Sequence, residues 1–475
     1  MNIPSYSPII HNKDVKTDES VAIRNPFTGK TVGEVHRAKG NLPEESVKSA
    51  LKGFERMRNL SGFERHSILQ KIVQGITERQ EELTETIVAE SGKPIRFARN
   101  EVERAKLTFG WAAEESRRMG GDSLPLDMAA NTESYAGITR RFPIGVILGI
   151  TPFNFPLNLV AHKIAPSLAS GNAIILKPAP QTPITALILG DIIRSAGAPA
   201  GAVNILPTDN ASAEKLVRDE RIAKLSFTGS DAVGWRLKSL AGKKKVTLEL
   251  GGNAGTIVEP DADLAFAVPR LALGSFAYSG QVCISVQRIY VHEEIFEEFV
   301  DRFLEEVADN IPAGDPMDPN TVVGPMIDEK SAQRALEWIA EARKSGARLL
   351  YGGSAEGALI QPTVLTDTQP EMNIMCREAF APVVSIEPYP DFSTAVNILN
   401  NSDYGLQAAV FTKDVEKIRQ AFLRLEVGGV IINDYPTFRI DPMPYGGVKN
   451  SGVGREGLRY AIEEMTELKL LAIRF

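Results

Sequence analysis

Between about residues 135 and 250 the sequence alternates short apolar runs with segments of helical length, and this alternation limits the possible folds more than any other feature. The apolar runs are 146–151, 173–177, 203–206, 224–227 and 245–250. The segments between them, 157–170, 182–195 and 211–219, have the length of crossover helices. Strand and helix in repeated alternation predict a parallel sheet covered by helices, and therefore an α/β domain.

A second α/β pattern follows residue 251 in this chain of 475 residues, which has room for two to four domains. It contains the predicted strands 287–292 and 383–387 and the predicted helices 293–310 and 331–345. The first quarter is predicted to be mainly helical, because Leu69, Ile72 and Ile76 recur at three- and four-residue spacing. The next predicted helix, 93–119, carries many charges, which are typical of a solvent-exposed face.

The composition excludes several classes of protein. Sixty acidic and 53 basic side chains give a formal net charge of -7, so the chain lacks the basic surface typical of nucleic-acid binding. Two cysteines, Cys283 and Cys376, cannot form a disulfide framework, and a reducing compartment, the cytoplasm, is predicted. The N-terminal residues lack a signal-peptide pattern, and no apolar run has the length of a membrane span. We predict no metal site, no nucleic-acid partner and no membrane association.

Three residues suggest acyl chemistry, although each has an ordinary structural interpretation when taken alone. Cys283 lies in SGQVCI just before a predicted strand, and a lone cysteine is most often a buried small apolar residue. Glu249 ends an apolar run beside paired glycines, where a charge needs a partner or a function. Asn154 lies between two prolines in TPFNFP, and its amide could either stabilise an alkoxide or form a turn. Together they would supply a nucleophile, a base and an oxyanion donor.

Gly452, Gly454 and Gly457 match the G-x-G-x-x-G fingerprint of dinucleotide-binding folds. Only 18 residues follow Gly457, too few for the strand–helix–strand unit that the fingerprint needs. We interpret the segment as a glycine-rich turn before a terminal helix. A dinucleotide would therefore have to bind elsewhere.

Seven sequence blocks together resemble the NAD(P)-dependent aldehyde dehydrogenase superfamily. In chain order they are TPFNFP, LKPAPQTP, FTGSDAVG, LELGGN, GQVC, EAFAPVV and PYGGVKNSG. Their order and spacing resemble the family over about residues 23–470, and seven ordered blocks are far more specific than any single one. The segment 434–447, DYPTFRIDPMPYGG, is most similar to the lactaldehyde and phosphonoacetaldehyde dehydrogenase-like subgroup.

The resemblance implies an α/β subunit of two Rossmann-like parallel-sheet domains and a small β segment that bridges subunits. The expected domains are an NAD(P)-binding domain at 1–121 and 142–250, a catalytic domain at 251–445, and a bridging segment at 122–141 and 446–475. The strand-like pattern of 468–475 suits pairing with another subunit. Homodimers or homotetramers are therefore expected.

By the same resemblance, Cys283 is the nucleophile, Glu249 the general base, and Asn154 with the Cys283 backbone N–H the oxyanion hole. The implied reaction oxidises a small polar aldehyde, lactaldehyde-like or an anionic semialdehyde, through a thiohemiacetal and a thioester that water hydrolyses. Glu249 argues against the CoA-acylating class, in which thiolysis replaces hydrolysis. A non-enzymatic binding role is not expected of a chain that keeps all three residues.

The resemblance also implies which residues bind NAD or NADP. Lys177 would bond the adenosine ribose, while Gly229 and Ser230 at a helix N-terminus would face the pyrophosphate. Many NAD-preferring members have a glutamate where this chain has Pro180, yet the uncharged segment 179–183 offers no cation for a 2'-phosphate, so NAD is favoured. The other predicted cofactor residues are Thr151, Pro152, Phe153, Gly234, Leu250, Glu378 and Phe380.

Arg439 is the residue most informative about the substrate. In phosphonate-reading relatives an arginine here is joined by one on the early helix, which corresponds to Arg104, and by one just before the nucleophile. This chain has Val282 at that last position, which favours a hydroxyaldehyde or a carboxylated aldehyde over a phosphonate. His162 would either line the substrate tunnel or lie in the core. Ile284 completes the predicted substrate residues.

Overall fold

The computed structural model describes residues 3–475, and strands alternate with helices from residue 146 to residue 249 as predicted. Up to residue 143 the elements are β1 (Ser5–Tyr6), β2 (Ile9–Ile10), β3 (Lys13–Asp14), β4 (Ser20–Arg24), β5 (Thr31–His36), α1 (Leu42–Met57), α2 (Gly62–Glu78), α3 (Gln80–Ser91), α4 (Ile95–Arg118), β6 (Ser123–Pro125) and β7 (Tyr135–Pro143). Up to residue 249 they are β8 (Val146–Ile150), α5 (Asn158–Ala169), β9 (Ala173–Lys177), α6 (Ile184–Ser195), β10 (Val203–Ile205), α7 (Asn210–Arg218), β11 (Ile222–Thr228), α8 (Asp231–Leu240) and β12 (Lys245–Glu249).

The second half also contains both strands and helices, but they alternate less regularly. Its elements up to residue 389 are β13 (Gly255–Val258), α9 (Leu264–Phe276), β14 (Arg288–His292), α10 (Phe296–Asn310), α11 (Glu329–Lys344), β15 (Arg348–Tyr351), β16 (Ala355–Glu356), β17 (Leu359–Ile360), β18 (Thr363–Thr366), α12 (Asn373–Cys376) and β19 (Val383–Tyr389). The last elements are α13 (Phe392–Asn400), β20 (Tyr404–Gly405), β21 (Gln407–Phe411), α14 (Val415–Arg424), β22 (Gly429–Ile432), β23 (Val448–Lys449), β24 (Gly452–Val453), α15 (Leu458–Glu464) and β25 (Thr466–Arg474).

The first large sheet has eight strands in the order β24-β12-β11-β8-β9-β10-β2-β3. Its five strands from β12 to β10 run parallel, and every residue of β8 and β9 is buried. Such continuous apolar strands need helices on both faces, which α1, α5 and α6 help to provide. Because the strand order reverses beside β8, the carboxyl ends of β8 and β11 border a crevice.

The second large sheet has seven strands in the order β15-β18-β19-β14-β13-β21-β22, and all but β15 run parallel. Neighbouring residues of its strands, such as Ile257 and Val258, enter separate apolar cores on the two faces. The chain passes from β12 to β13 through residues 250–254 alone. The carboxyl edge of the first sheet therefore meets the amino edge of the second.

A third, antiparallel sheet contains β6, β7 and β25, with β25 paired along the whole of β7. Its exposed apolar side chains include Ile138, Leu468, Leu470, Leu471 and Ile473. Exposed apolar surface of this kind marks interaction sites. The remainder of the expected bridging segment lies elsewhere: β24 pairs with β12, and α15 contributes Leu458 and Ile462 to the core of the first sheet.

The first quarter is mainly helical as predicted, through α1 to α4, but residues 5–36 lie outside that pattern. They form five short strands, and β2 pairs with β10 near the edge of the first sheet. The helical period that supported the prediction belongs to α2 and α3 only. Strands of two to six residues are too short to leave a clear alternating pattern, so the sequence did not reveal them.

The helix α4 matches the predicted helix 93–119, but its charged residues do not share one exposed face. Arg96, Arg99 and Arg117 are exposed, whereas Glu101 is buried with 1% of its surface accessible. The interpretation of all these charges as solvent-exposed is therefore wrong for Glu101. Neither α4 nor any other helix within residues 3–475 is both long and apolar enough to cross a membrane.

Candidate active site

The predicted catalytic and cofactor residues lie along one cleft between the two large sheets. A cavity of about 310 Å³ is bordered by Asn154, Glu249 and Cys283. An adjoining cavity of about 370 Å³ extends to Lys177 and Pro180. The residues that border both cavities are Pro152, Phe153, Thr228, Gly229 and Ser230. The cleft is therefore continuous from Cys283 to Lys177, the last residue of β9.

A kink after α9 carries Cys283 into the cleft. Tyr278, Ser279 and Gly280 have positive φ angles of 51°, 58° and 64°, a conformation that strains the first two residues. A Cβ at Gly280 would lie 2.1 Å from the Ala381 carbonyl oxygen, so only glycine fits. Beyond the kink, Cys283 Sγ lies 3.0 Å from the Tyr445 hydroxyl.

The Glu249 carboxyl is buried, whereas Cys283 is half-buried and borders the same cavity. Burial raises the pKa of Cys283 to about 11. Burial, and then the charge of Glu456, raise the pKa of Glu249 well above its usual value. Within residues 3–475 neither Glu249 carboxyl oxygen has a hydrogen-bond partner. This carboxyl is therefore free to bond a water molecule that enters the cleft.

Asn154 is anchored to the loop that carries the nucleophile. Its Nδ2 donates to the Gln281 carbonyl oxygen at 2.9 Å. An amide nitrogen has two protons, so the second is available to an oxyanion beside Cys283. The two donors expected for the oxyanion hole thus come from segments that a hydrogen bond holds together.

A buried ion pair that the sequence did not reveal holds the Asn154 loop. The Lys93 ammonium bonds the Glu101 carboxylate, and both side chains are fully buried. The second oxygen of Glu101 accepts from the backbone N–H groups of Leu157 at 2.9 Å and Asn158 at 3.0 Å. A carboxylate at this helix N-terminus satisfies two free donors, and so it fixes the start of α5 directly after the Asn154 loop.

A second buried cluster, also missed from the sequence, lies behind Glu249. Lys163 Nζ donates to Glu456 at 3.1 Å and to Thr228 Oγ1 at 2.8 Å. Burial acts to raise the pKa of Glu456, but the charges of Lys163 and Arg439 outweigh it and lower that pKa to about 2. The two buried carboxyl groups therefore differ because cations surround Glu456, whereas Glu249 has no hydrogen-bond partner within residues 3–475.

The N-terminus of α8 suits a diphosphate. Ser230 precedes the helix and makes no capping bond with its side chain, which leaves backbone N–H groups for an anion. A Cβ at Gly234 would lie 2.3 Å from Leu250 Cδ2, so glycine lets α8 approach the segment after β12. Lys177 ends β9 in the same cleft, and burial lowers the pKa of its ammonium. These donors fit the phosphates and ribose hydroxyls of a dinucleotide.

The cofactor side also receives residues from the second half of the chain. The Glu378 carboxylate accepts from the Gly252 backbone N–H at 3.0 Å, and burial raises the pKa of Glu378 to about 7. The Phe380 ring packs edge-on against Phe153 with centroids 5.9 Å apart. A nicotinamide ring bound between the two halves would meet these residues next to Cys283.

A cation that the sequence pattern did not reveal lies near Pro180. Arg37, just beyond β5, borders a cavity of about 200 Å³ together with Pro180 and Asp209. Its charge acts on Lys177 and lowers the pKa of that ammonium further. The expectation that this region lacks a cation is therefore wrong, because the cation comes from a segment more than a hundred residues earlier in the chain.

Arg439 and His162 belong to one buried polar network. Arg439 lies 3.6 Å from the Tyr445 ring centroid, and its Nη2 donates to His162 Nδ1 at 3.0 Å. His162 Nε2 lies 3.1 Å from the Asp441 carboxylate. Burial and Arg439 lower the pKa of His162, so the imidazole is neutral, accepts at Nδ1 and donates from Nε2. Of the two interpretations of His162, the structure favours the core.

Arg104 reaches the same network from α4. Burial, and then the charge of Arg439, lower its pKa, and its charge helps to hold the pKa of Asp441 below the usual range although burial opposes it. The other predicted substrate residues form an apolar collar at the nucleophile. This collar comprises Val282, Ile284, Leu406 and Tyr445. The predicted substrate residues thus separate into a charged group and an apolar group.

Two curated relatives match almost the full length of the chain. A 3-sulfolactaldehyde dehydrogenase of Priestia megaterium is 42% identical over 472 residues, which are 99% of this chain and 98% of that protein. A lactaldehyde dehydrogenase of Methanocaldococcus jannaschii is 40% identical over 461 residues, which are 96% of this chain and 97% of that protein.

Two solved structures share the fold. Aldehyde dehydrogenase 21 of Physcomitrella patens, in complex with the reaction product succinate, superposes with a TM-score of 0.98 at 43% identity and covers 100% of this chain and 99% of its own. The glyceraldehyde-3-phosphate dehydrogenase GapN of Methanocaldococcus jannaschii, complexed with NADP, has a TM-score of 0.92 at 39% identity. The match covers 97% of this chain and 100% of that protein. The predicted fold, two Rossmann-like α/β units with a small β segment, is confirmed.

Residues 13–471 match the model of the aldehyde dehydrogenase family. The predicted enzyme class is therefore confirmed: the protein is an oxidoreductase that acts on an aldehyde with NAD or NADP as the cofactor. With a family match and relatives of this similarity over nearly its full length, the chain belongs to the aldehyde dehydrogenase family.

Proposed function

We propose that this aldehyde dehydrogenase oxidises a small polar aldehyde, of the lactaldehyde or anionic semialdehyde class, to its carboxylic acid. The observation that carries the proposal is Arg104. Its guanidinium donates no hydrogen bond to residues 3–475, and the groups whose charges act on it include Tyr445, the residue in contact with Cys283 Sγ. A carboxylate, sulfonate or hydroxyl group on a short substrate would thus meet a free planar donor near the nucleophile.

The collar around Cys283 supports a short substrate without a phosphonate. Val282 and Ile284 pack with Tyr445 beside the sulfur, so the reacting carbon would sit among apolar side chains. Arg439 is already paired with Glu456 at 3.4 Å. Of the two predicted substrate arginines, only Arg104 would therefore offer a doubly charged group a guanidinium with no hydrogen-bond partner within residues 3–475, which is a poor match for a phosphonate.

The named relatives are consistent with this substrate class. One of them is called a 3-sulfolactaldehyde dehydrogenase and another a lactaldehyde dehydrogenase, and a solved neighbour holds succinate as its reaction product. These three compounds are short and carry a polar or anionic group. We extend that shared chemistry, and none of the individual substrates, to this chain.

In the proposed mechanism Cys283 is the nucleophile. Its thiolate adds to the aldehyde carbon, and the electron pair of the carbonyl double bond moves to the oxygen, which Asn154 and the Cys283 N–H stabilise. Bound NAD or NADP supplies the hydride acceptor that converts this adduct to a thioester. Glu249 then removes a proton from water, the hydroxide attacks the thioester, and the Cys283 sulfur leaves with the electron pair of the broken bond.

Hydrolysis is favoured over transfer to CoA because of the free Glu249 carboxyl. Both of its oxygens lack partners within residues 3–475 and border the same cavity as Cys283. A base in that place can activate water directly. Formation of the free acid in the absence of CoA supports this choice, whereas turnover that requires CoA contradicts it.

We propose that NAD is the favoured cofactor and that NADP also binds. Pro180 leaves no carboxylate to repel a 2'-phosphate, and Arg37 offers a cation nearby. The attraction of Arg37 for a 2'-phosphate is small, because Arg37 also lies 3.7 Å from Glu19 and because Asp209 borders the same cavity. The opposite charges beside Arg37 thus limit any preference for NADP.

We also propose a three-part subunit that forms homodimers or homotetramers through the β6-β7-β25 sheet. The supporting observation is the row of exposed apolar residues on β25, including Leu468, Leu470 and Leu471. The expected domains at 1–121 with 142–250, at 251–445 and at 122–141 with 446–475 remain predictions. Since β24 and α15 pack on the first sheet, we propose that only about 466–475 of the last range serves the bridge.

A free Cys283 thiol suits the reducing cytoplasm.

The substrate proposal is tested by initial rates of nicotinamide reduction. The panel contains lactaldehyde, succinic semialdehyde, glyceraldehyde 3-phosphate and phosphonoacetaldehyde, each with NAD and with NADP. We expect Arg104→Met to lower kcat/KM selectively for the preferred polar aldehyde by about tenfold to a hundredfold. The matched control is Arg96→Met, an exposed arginine of the same helix. Equal losses for charged and uncharged aldehydes would count against Arg104 as the recognition residue.

A further inference from the structure

Within residues 3–475, the Tyr445 hydroxyl makes the one side-chain hydrogen bond to Cys283 Sγ, at 3.0 Å. The other residues assigned to the reaction do not hold the sulfur in this arrangement. Asn154 donates to the Gln281 carbonyl oxygen, and both Glu249 oxygens are unpartnered. The nucleophile is therefore in contact with a polar group that the proposed mechanism has not yet used.

The position of the Tyr445 hydroxyl is fixed from three sides. The side chain is buried, with 3% of its surface accessible. Its backbone N–H donates to the Glu456 carbonyl oxygen at 3.0 Å, and the Glu456 N–H donates back at 2.6 Å. The Arg439 guanidinium covers the ring at 3.6 Å, where a cation attracts π-electron density and makes the phenol a better donor.

The charge states of the pair decide which atom donates. Burial raises the pKa of Tyr445 well above its usual value, so the hydroxyl keeps its proton through neutral and mildly alkaline pH. A Cys283 thiolate has no proton to give and can only accept. Hydrogen bonds to an ionised acceptor are stronger than those between neutral groups. The tyrosine therefore opposes the effect of burial, which disfavours the thiolate.

We propose that Tyr445 is a catalytic residue whose hydroxyl donates a hydrogen bond to the Cys283 thiolate and so stabilises and orients the nucleophile. As the bond between sulfur and the aldehyde carbon forms, the sulfur electron pair enters that bond and the charge moves to the former carbonyl oxygen. The tyrosine proton stays on its own oxygen throughout. This inference rests on the proposed role of Cys283 and is independent of which aldehyde is oxidised.

Other charged groups also face the pair. Glu378 and Glu249 act to raise the pKa of the Cys283 thiol, and Arg439 acts to lower it. Tyr445 is also among the groups whose charges act on Arg104. A Tyr445→Phe variant keeps all four of these groups and removes one oxygen atom. A change in the thiol pKa of that variant would therefore belong to the hydroxyl.

The test is the pH dependence of Cys283 alkylation by iodoacetamide in a Cys376→Ser background, which leaves one reactive cysteine. We expect Tyr445→Phe to raise the alkylation pKa by about one unit and to lower kcat/KM at neutral pH roughly tenfold. The alkylation rates of the two proteins should converge at high pH. The control is Tyr389→Phe, which removes a buried hydroxyl that bonds Val258 and Glu259 away from the cleft.

An unchanged alkylation pKa in Tyr445→Phe, or an equal loss of rate at every pH, would overturn the proposal and leave Tyr445 a packing role. If that variant does not fold, replacement of all tyrosines by 3-fluorotyrosine keeps the shape and makes the phenol a stronger donor. The thiol pKa should then fall, and no shift would again overturn the proposal. Because alkylation needs neither aldehyde nor cofactor, this outcome is separate from any failure of the proposed substrate or of Cys283 as the nucleophile.

Discussion

The two sides of the cleft are constructed differently. The cofactor side is formed at the carboxyl ends of parallel strands of the first sheet, where Lys177 ends β9 and Gly229 follows β11, and backbone groups supply many of the contacts. The acyl side joins Arg104, His162 and the segment 439–456 into a buried network of charges. Strand ends can accommodate a ligand with few charged side chains, whereas the acyl side requires charges from distant segments that neutralise one another.

This difference predicts that the acyl side tolerates substitution less well. On the cofactor side, exposed or partly exposed charges such as Arg37 contribute modestly. On the acyl side, Lys163 and Glu456 are both nearly or fully buried, so the loss of one partner leaves an uncompensated charge. Four substitutions test the comparison.

The largest effect is expected from Cys283→Ala. Removal of the sulfur eliminates the only proposed nucleophile, so turnover should be abolished while the cofactor side remains intact. Turnover is measured by nicotinamide reduction. Cofactor binding is measured by the quenching of protein fluorescence as NAD is added. Wild-type turnover in this variant would refute the assignment of Cys283 as the nucleophile. Loss of cofactor binding would mean that the cofactor side depends on the acyl side.

Glu249→Gln should slow release of the acid by about a hundredfold to ten-thousandfold and affect formation of the acyl-enzyme much less. Because the pKa of Glu249 is raised, the wild-type hydrolysis rate should rise with pH as the carboxyl ionises, and this rise should be absent in the variant. Rapid-mixing measurements of the burst and of the steady state separate the two steps. An unaltered steady-state rate and pH profile would exclude Glu249 as the base.

Glu101→Ala tests the buried ion pair that supports the Asn154 loop. The free energy of unfolding should fall by about 3–5 kcal/mol, because Lys93 and the backbone N–H groups of Leu157 and Asn158 are left buried without their partner. Urea unfolding measures this loss. The matched control is Glu103→Ala on the same helix, where the exposed pair with Lys106 should contribute less than about 1 kcal/mol. Equal losses in the two variants would contradict the distinction between buried and exposed charges.

The smallest effect is expected from Arg37→Ala on the cofactor side. The Kd for NADP should rise about twofold to fivefold while that for NAD stays nearly constant, because only NADP carries a 2'-phosphate near Pro180. Calorimetric titrations with both cofactors measure the difference, with Arg24→Ala as an exposed control. A parallel weakening of both cofactors would show that Arg37 has no role in discrimination.

The sequence predicted the cofactor side better than the acyl side. Buried parallel strands such as β9 are continuous apolar runs, and its predicted range 173–177 agrees with the structure. The glycine-rich segment 452–457 directly precedes α15 as interpreted, but its first two residues form β24 instead of a turn. Local sequence patterns suffice for such elements because each reflects the burial of neighbouring residues.

The buried charges could not be identified in the same way. Glu101 occupies a helix whose other charges include the exposed Arg96 and Arg99, and burial leaves no local signal in the residue type. The partner of Lys163 is 293 positions away along the chain, and Arg37 approaches Lys177 from an N-terminal strand that was itself missed. Pairings of this kind are properties of the tertiary structure, so they require the fold before they can be recognised.

The two-residue strand β24 has a consequence for dividing the chain. It returns from the second half to cover the outer edge of β12, the strand that ends in Glu249. A fragment that stopped at residue 250 would therefore expose backbone donors and acceptors along that edge, which favours aggregation. Expression of the first half as a soluble cofactor-binding module would require the C-terminal residues as well, supplied either by circular permutation or as a complementing peptide.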